Sequence, residues 1–244
     1  MHQKISVLGV EVSQLNQQTV VPEILKLVMS KKSVHIVTPN PEHIVQAQED
    51  IAFKTALNQA DIAIPDGIGL VWAMKRKSSA QKIERVTGVD LMLELCKVAE
   101  EKGWIVGLLG GASGVAKQTK QCLLDQLPSL KVIVLPYNIA FSDKDLNKQL
   151  AQKIAAKHID VLFVALGAPK QELFISKYIN YMSTLKIAMG VGGAFDVISG
   201  RLKRPPVWLQ RLGLEWLFRL YQEPWRWKRQ TRLVEFVWRV LLSK

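Results

Sequence analysis

The strongest constraint on this chain is an alternation. Seven short apolar runs, Lys4–Val10, Ser33–Thr38, Asp61–Ile64, Trp104–Leu109, Lys131–Leu135, Asp160–Leu166 and Lys186–Met189, are separated by longer amphipathic stretches. The runs are rich in Val, Ile and Leu with little polar alternation, as strands buried on both faces of a parallel sheet are. The stretches between them predict helices over Val20–Met29, Pro41–Gln59, Ile68–Arg76, Asp90–Lys102, Val115–Gln126, Asp143–Lys157 and Lys170–Tyr181. Pro41 suits a first helical position behind an Asn40 cap. Strand–helix alternation of this kind predicts an α/β fold: an open, mostly parallel, Rossmann-like sheet with helices on both faces.

Such a sheet collects ligands beyond the carboxyl ends of its strands. The segments that follow the runs are TPNPE (38–42), PDG (65–67), GGASG (110–114), GAPKQE (167–172) and GVGGAFD (190–196). They are more polar and glycine-rich than their surroundings, and they predict one shared cleft.

The alternation ends near Gly200, which divides the chain into an α/β body, 1–200, and an appendage, 201–244. The appendage holds eleven of the 33 Lys+Arg, five of the seven tryptophans and three acids, Glu215, Glu223 and Glu235. The body is nearly neutral, so the formal net charge of +12 describes one surface. Two helices are expected. The first covers about Val207–Gln222, with Arg211, Glu215 and Arg219 laced at i,i+4 spacing. The second follows a break at Glu223-Pro224. There Leu233, Phe236, Val237, Val240 and Leu241 form an apolar stripe opposite Arg229, Arg232 and Arg239. Arginine forks bind phosphate and tryptophan favours the water–lipid boundary, so the appendage suits an anionic membrane surface. The same stripe can dock on another subunit in a homo-oligomer, and a solvated hairpin is the plainer alternative.

No apolar run reaches the roughly 18–20 residues of a spanning helix, and MHQKISVLGV lacks the parts of a signal peptide. Cys96 and Cys122 read as free thiols of a reducing compartment. The expected location is cytoplasmic, peripheral on the inner face of the cell membrane.

Within the cleft segments, Asp66 directly follows a strand and can act as a general base, although Asp-Gly is also ordinary turn chemistry. Thr38 and Asn40 can bond a sugar, with a capping role for Asn40 as the competing or coexisting reading. Gln171 and Glu172 stand at another strand end, where Glu also complements a helix dipole. Arg85 lies in a loop and can bind phosphate or carboxylate. Gly110 and Gly111 open a loop able to cradle a diphosphate, without a dinucleotide or Walker fingerprint. Asp143-Lys144-Asp145 matches the D-x-D pattern of metal-dependent sugar transfer, but Ser142-x-x-Asp145 ahead of a helix reads as a cap. His2, His35, His43 and His158 form no ligand spacing, so neither a metal nor another cofactor is expected.

Six segments together resemble the WecG/TagA/CpsF glycosyltransferase family: Thr38-Pro-Asn-Pro-Glu42, Pro65-Asp-Gly67, Glu84-Arg-Val-Thr-Gly88, Ala165-Leu-Gly-Ala-Pro-Lys-Gln-Glu172, Gly190-Val-Gly-Gly-Ala-Phe-Asp196 and Gly213-Leu-Glu-Trp-Leu-Phe-Arg219. The resemblance runs from the first strand to the tail. It implies inverting, metal-independent transfer of an N-acetylmannosamine-type sugar from a UDP donor to polyprenyl-diphosphate-linked N-acetylglucosamine. It further implies Asp66 as the base, Thr38, Asn40 and Gln171 as donor-sugar contacts, and Arg85 near the diphosphate. Asp196 and the Gly110 loop fall near the nucleotide, and Arg219, Arg226 and Arg229 at the lipid diphosphate. Relatives differ in donor, N-acetylmannosamine or its uronic acid among them, and in product: teichoic acid, common antigen or capsule. The Thr38 stretch resembles the teichoic-acid type, and the tail resembles the common-antigen type at least as much.

Two alternatives of other classes stand beside this. A Rossmann-type oxidoreductase wants a glycine fingerprint after the first strand, which Gly9-Val-Glu-Val does not supply. A nucleic-acid-binding protein would use the basic tail, with tryptophans stacking on bases; no nucleic-acid partner is expected.

Overall fold

The computed structural model describes residues 2–30, 33–78, 83–137, 141–211, 213–224 and 227–243, without the side chains of 207, 211 and 228–230. Six strands form one sheet: β3 (Val34–Val37), β4 (Ile62–Ala63), β5 (Ile105–Gly110), β6 (Lys131–Leu135), β7 (Val161–Ala165) and β8 (Ile187–Gly190). They lie in the order β4-β3-β8-β7-β5-β6, every pairing parallel. The sheet is thus the α/β architecture that the alternation predicts. Neighbouring residues of one strand serve different cores: Val161 and Phe163 pack on one face, Leu162 and Val164 on the other. Both faces are dry, which is why these runs carry no polar alternation.

On the first face lie α1 (Val20–Ser30), α5 (Gly88–Glu101), α6 (Val115–Gln126) and α9 (Ala194–Ile198). The opposite face carries α2 (Pro41–Glu49), α3 (Ile51–Gln59) and α4 (Ile68–Lys77) over one half, and α7 (Lys144–Ala156) and α8 (Lys170–Tyr178) over the other.

Several boundaries differ from the sequence expectation, each for a local reason. Lys4–Val10 is not one strand of the parallel sheet. It is a separate antiparallel hairpin, β1 (Lys4–Val7) with β2 (Val10–Ser13), turned by Leu8 and Gly9 at φ 51° and 78°. Two consecutive positive φ angles make the tight hairpin turn that follows strand twist. Pro41–Gln59 is two helices, because Asp50 leaves the helical backbone and its side chain accepts from the Phe53 N–H at 2.9 Å. The cap of α7 is Asp143, accepting from Leu146 N, and not Ser142. Past Tyr178 the chain tightens into a 3₁₀ turn, Ile179–Tyr181.

The appendage also departs from its outline. Val207–Gln222 breaks into α10 (Val207–Arg211) and α11 (Glu215–Gln222) around Gly213, whose φ of 71° no helix interior tolerates. The last helix is α12 (Trp227–Leu242). Its expected apolar stripe is split between two environments. Phe236 and Val240 are buried in the same core as α2, α3 and α4. Val237 and Leu241, assigned to that stripe, are exposed with Trp227, Val234, Trp238 and Leu242. Gly69 on α4 makes the close docking possible: a β-carbon there would stand 3.0 Å from Pro41 and 3.6 Å from Leu233.

Candidate active site

The cleft opens at the carboxyl ends of β3, β4, β7 and β8. The segments after β3 and β4 are tied together by Asp66 N–H donating to Pro39 O at 2.9 Å. Gly67 follows at φ 105°, a conformation that a side chain would strain, and starts α4. This turn leaves the Asp66 side chain at the cleft surface, 31% exposed. Burial of its surroundings pushes the carboxyl pKa up. The Arg85 charge opposes that shift and the Glu215 charge adds to it. Arg85 Nε stands 3.5 Å from Asp66 Oδ1. Thr38 and Gly88 close the space around Asp66: a β-carbon on Gly88 would lie 3.5 Å from Thr38 Oγ1 and 3.8 Å from Asp66 Oδ2.

The appendage forms the remaining wall. Glu215, at the start of α11, accepts two hydrogen bonds from Arg85, at 2.6 and 2.7 Å. One turn on, Arg219 lies against Gly193 in the loop after β8, where any β-carbon would collide with its guanidinium. Glu223 accepts from Arg219 Nε at 3.2 Å. Arg204 pairs with Asp90 in the first turn of α5 at 2.7 Å, and Arg201 with Asp196 at 3.5 Å. Arg232 of α12 reaches Glu49 at 3.9 Å. The arginines described here bind the appendage to the body from several directions.

A second region of the cleft lies at the GGASG loop. Gly110 and Gly111 take φ of 90° and 80°, and a β-carbon on Gly110 would stand 2.7 Å from Ala165 O. The loop and α6 border an open cavity of about 620 Å³ lined by Ser113, Gly114, Gln118, Ser199 and Arg201. Asp66 is not among its lining residues. Among the described residues, no group of three or more His, Cys, Asp or Glu converges as a metal site.

With that geometry in place, comparison with known proteins decides the family. The family model described as "Glycosyl transferase WecG/TagA/CpsF family" matches residues 5–244. The chain belongs to this family. It is 37% identical over 213 residues to an N-acetylglucosaminyldiphosphoundecaprenol N-acetyl-beta-D-mannosaminyltransferase of Bacillus spizizenii, covering 86% of this chain and 79% of that protein. It is 36% identical over 208 residues to the protein of the same name from Bacillus subtilis, covering 84% and 78%. Membership makes this chain a glycosyltransferase and displaces the oxidoreductase alternative.

For a WecG/TagA/CpsF enzyme, the expected site residues fall into distinct groups. Arg85 and Thr38 lie beside Asp66, and Arg219 lies against the loop after β8. Asn40 lies at the same mouth, where its Oδ1 caps α2 by accepting from His43 N at 2.9 Å. Gln171 is buried: Oε1 accepts from Gly192 N at 3.0 Å and Nε2 donates to Glu172 at 2.7 Å. In this arrangement it braces two cleft loops. Asp196 lies in α9 and pairs with Arg201. Arg226 lies outside the described residues, as does the side chain of Arg229.

Sequence reasoning missed Glu215. Glu215 and Arg219 pair not with each other but elsewhere: Glu215 holds Arg85, and Arg219 holds Glu223; the side chain of Arg211 lies outside the described residues. The available signal was scarcity, since an acid in so basic a segment needs a reason. Glu172 was read as a dipole-complementing first-turn acid. It is buried, and burial pushes its pKa up to about 7.

Proposed function

We propose that this protein transfers N-acetylmannosamine from a UDP donor to N-acetylglucosamine carried on a polyprenyl diphosphate, by direct inverting displacement without a metal. The uronic acid of the same sugar is the alternative donor. The activity named for the two Bacillus relatives supports the sugar and the acceptor class. The single observation that carries the mechanism is Asp66: a carboxyl with a raised pKa at the cleft surface, beside Arg85 and under an arginine-bearing segment.

The chemistry follows from that placement. Asp66 accepts the proton of the acceptor hydroxyl as its oxygen attacks the anomeric carbon. The bond from that carbon to the UDP diphosphate breaks on the opposite side, so the configuration inverts and the electron pair leaves with the diphosphate. A base whose pKa is raised binds the proton more tightly than a surface aspartate. Arg219, with Arg226 and Arg229 by family resemblance, supplies positive charge to the diphosphates, as planar forks can without a metal. In this reading Thr38 and the Asn40 side-chain NH₂ contact the donor sugar, while Asn40 Oδ1 caps α2. The cavity beside Gly110, Gly111 and Asp196 has room for a nucleotide.

The outer face of the appendage is proposed as the membrane contact. Trp208, Trp216, Tyr221, Trp227 and Trp238 are exposed on the appendage helices, and α12 also carries Arg232 and Arg239. No helix among the described residues is long and apolar enough to cross a membrane. Aromatic rings with cationic neighbours fit an anionic bilayer surface, where the proposed acceptor resides. The test is transfer from a panel of UDP-sugars to a synthetic N-acetylglucosaminyl-diphosphate lipid. Turnover of UDP-N-acetylmannosamine with inversion and in the presence of a chelator is expected; no turnover of any UDP-sugar overturns the reading.

A further inference from the structure

The family reading gives Arg85 an anionic ligand in the substrate, yet both its terminal nitrogens are already occupied by Glu215. The pair is largely enclosed, with side-chain exposures of 20% and 27%. Its geometry is the two-pronged match of guanidinium and carboxylate, which fixes orientation as well as charge. With those two nitrogens pinned, the remaining Nε edge of Arg85 faces Asp66 at 3.5 Å, and Nε itself has no hydrogen-bond partner. Among the described residues, the charged groups facing Asp66 are Arg85, from the loop ahead of α5, and Glu215, from α11. Gly88, at the start of α5, flanks it, since a β-carbon there would lie 3.8 Å from Asp66 Oδ2.

We propose that Glu215 is a positioning residue for transfer: carried by the appendage, it holds Arg85 by both terminal nitrogens and thereby sets the guanidinium's distance and orientation to Asp66. The base is then fully formed only when the appendage is docked. A released appendage would leave Arg85 free to swing onto Asp66 and neutralise it as a base. This rests on the reading of Asp66 as the base. It differs from a gate, in which Glu215 would merely occupy Arg85 until an anionic substrate displaced it.

The two ideas separate in pH–rate profiles of the full-length enzyme with UDP-N-acetylmannosamine and lipid acceptor. Glu215→Gln removes a negative charge and frees Arg85 toward Asp66, so the Asp66 carboxyl becomes easier to ionise. The acid limb of kcat/KM is expected to move down by about one pH unit. The plateau kcat is expected to fall by about 10- to 100-fold, with the acceptor KM nearly unchanged. Glu215→Asp should recover part of the rate. Arg204→Gln removes one appendage contact, at Asp90, while the Arg85–Glu215 pair and the buried Phe236 and Val240 keep the appendage docked, so it should leave the acid limb in place. If Glu215→Gln is too slow to profile, the Asp66 carboxyl is titrated by NMR in that variant, which needs no turnover and should show the same downward shift. An unmoved acid limb or unmoved NMR titration overturns the inference, as does a lowered KM with undiminished kcat, the signature of a gate. If Asp66→Asn itself keeps the full rate, the base reading fails first; if it is inactive and Glu215→Gln is unshifted, only this inference fails.

Discussion

Arg85 and Glu215 meet across 130 residues of chain, their two hydrogen bonds closing at 2.6 and 2.7 Å. One partner belongs to the α/β body, the other to the basic appendage, and Asp66 stands beside them. On the proposed reading the appendage is therefore part of the catalytic cleft as well as a candidate membrane contact. The same segment buries Phe236 and Val240 in the body's core.

The first prediction concerns pH. Burial raises the Asp66 pKa, with Glu215 adding to the shift and Arg85 opposing it. A base works deprotonated, so kcat/KM should fall with decreasing pH at a limb above the usual aspartate range. The folded state also holds this proton more tightly than the unfolded chain, so ionising Asp66 costs stability as pH rises. Asp66→Asn should thus unfold at a higher temperature than wild type at pH 8, with the difference shrinking toward pH 4. Thermal melts at the two pH values check it; a variant less stable at pH 8 contradicts it.

The second concerns the contact between Gly193 and Arg219. Gly193→Ala places a β-carbon where the Arg219 guanidinium lies. The variant, like Arg219→Gln, should lower transfer by about 10-fold or more, because on the proposed reading a displaced arginine stabilises less charge on the diphosphate. Arg219→Lys should not restore the rate, since a point charge does not reproduce the planar fork. Steady-state kinetics on the three variants are the check, with Gly193→Ala at wild-type rate as the contrary result.

The third concerns Glu172. Its pKa is pushed up to about 7 from an ordinary 4.5, and Oε2 is buried without a hydrogen-bond partner. The folded state binds the proton more tightly, so wild-type stability should fall between about pH 4.5 and 7 and level off above. Glu172→Gln lacks this loss. From pH 5 to pH 8 the stability difference should shift in the variant's favour by about 2 kcal/mol. Urea denaturation at both pH values measures it.

The fourth separates the two sides of α12. Phe236 is fully buried, so Phe236→Ala should cost about 3–5 kcal/mol in denaturant unfolding. Trp238 is 62% exposed, and Trp238→Ala should cost less than about 1 kcal/mol. Vesicle flotation should show the reverse order: anionic vesicles bind wild type, and Trp238→Ala weakens binding. Gel filtration showing a concentration-dependent dimer lost in Trp238→Ala, without vesicle binding, would assign this face to a second copy instead.

Much of this was legible in the sequence. Periodicity placed the six parallel strands and most helices, because strands buried on both faces leave an unbroken apolar signature. The Lys4–Val10 hairpin escaped, since a two-residue turn at Leu8 and Gly9 barely interrupts an apolar run. The Asp50 break escaped for a similar reason: one capping side chain reroutes a helix whose polar pattern continues across it. At the site, Asp66, Thr38 and Arg85 stood out through strand-end position and family motifs. Glu215 did not, because its partner is 130 residues away and i,i+4 arginines offered a nearer explanation. The split role of α12 was hidden too, as a helix with apolar residues on two sides reads as one broad stripe.

The central claim is that Asp66 is the base of a sugar transfer completed by the appendage. The most direct test is single-turnover transfer from UDP-N-acetylmannosamine to a diphosphate-lipid N-acetylglucosamine, comparing wild type with Asp66→Asn under saturating donor. Removal of a general base should slow the chemical step by about 10²- to 10⁴-fold while leaving donor binding intact. An Asp66→Asn enzyme that transfers within about twofold of wild type would contradict the account.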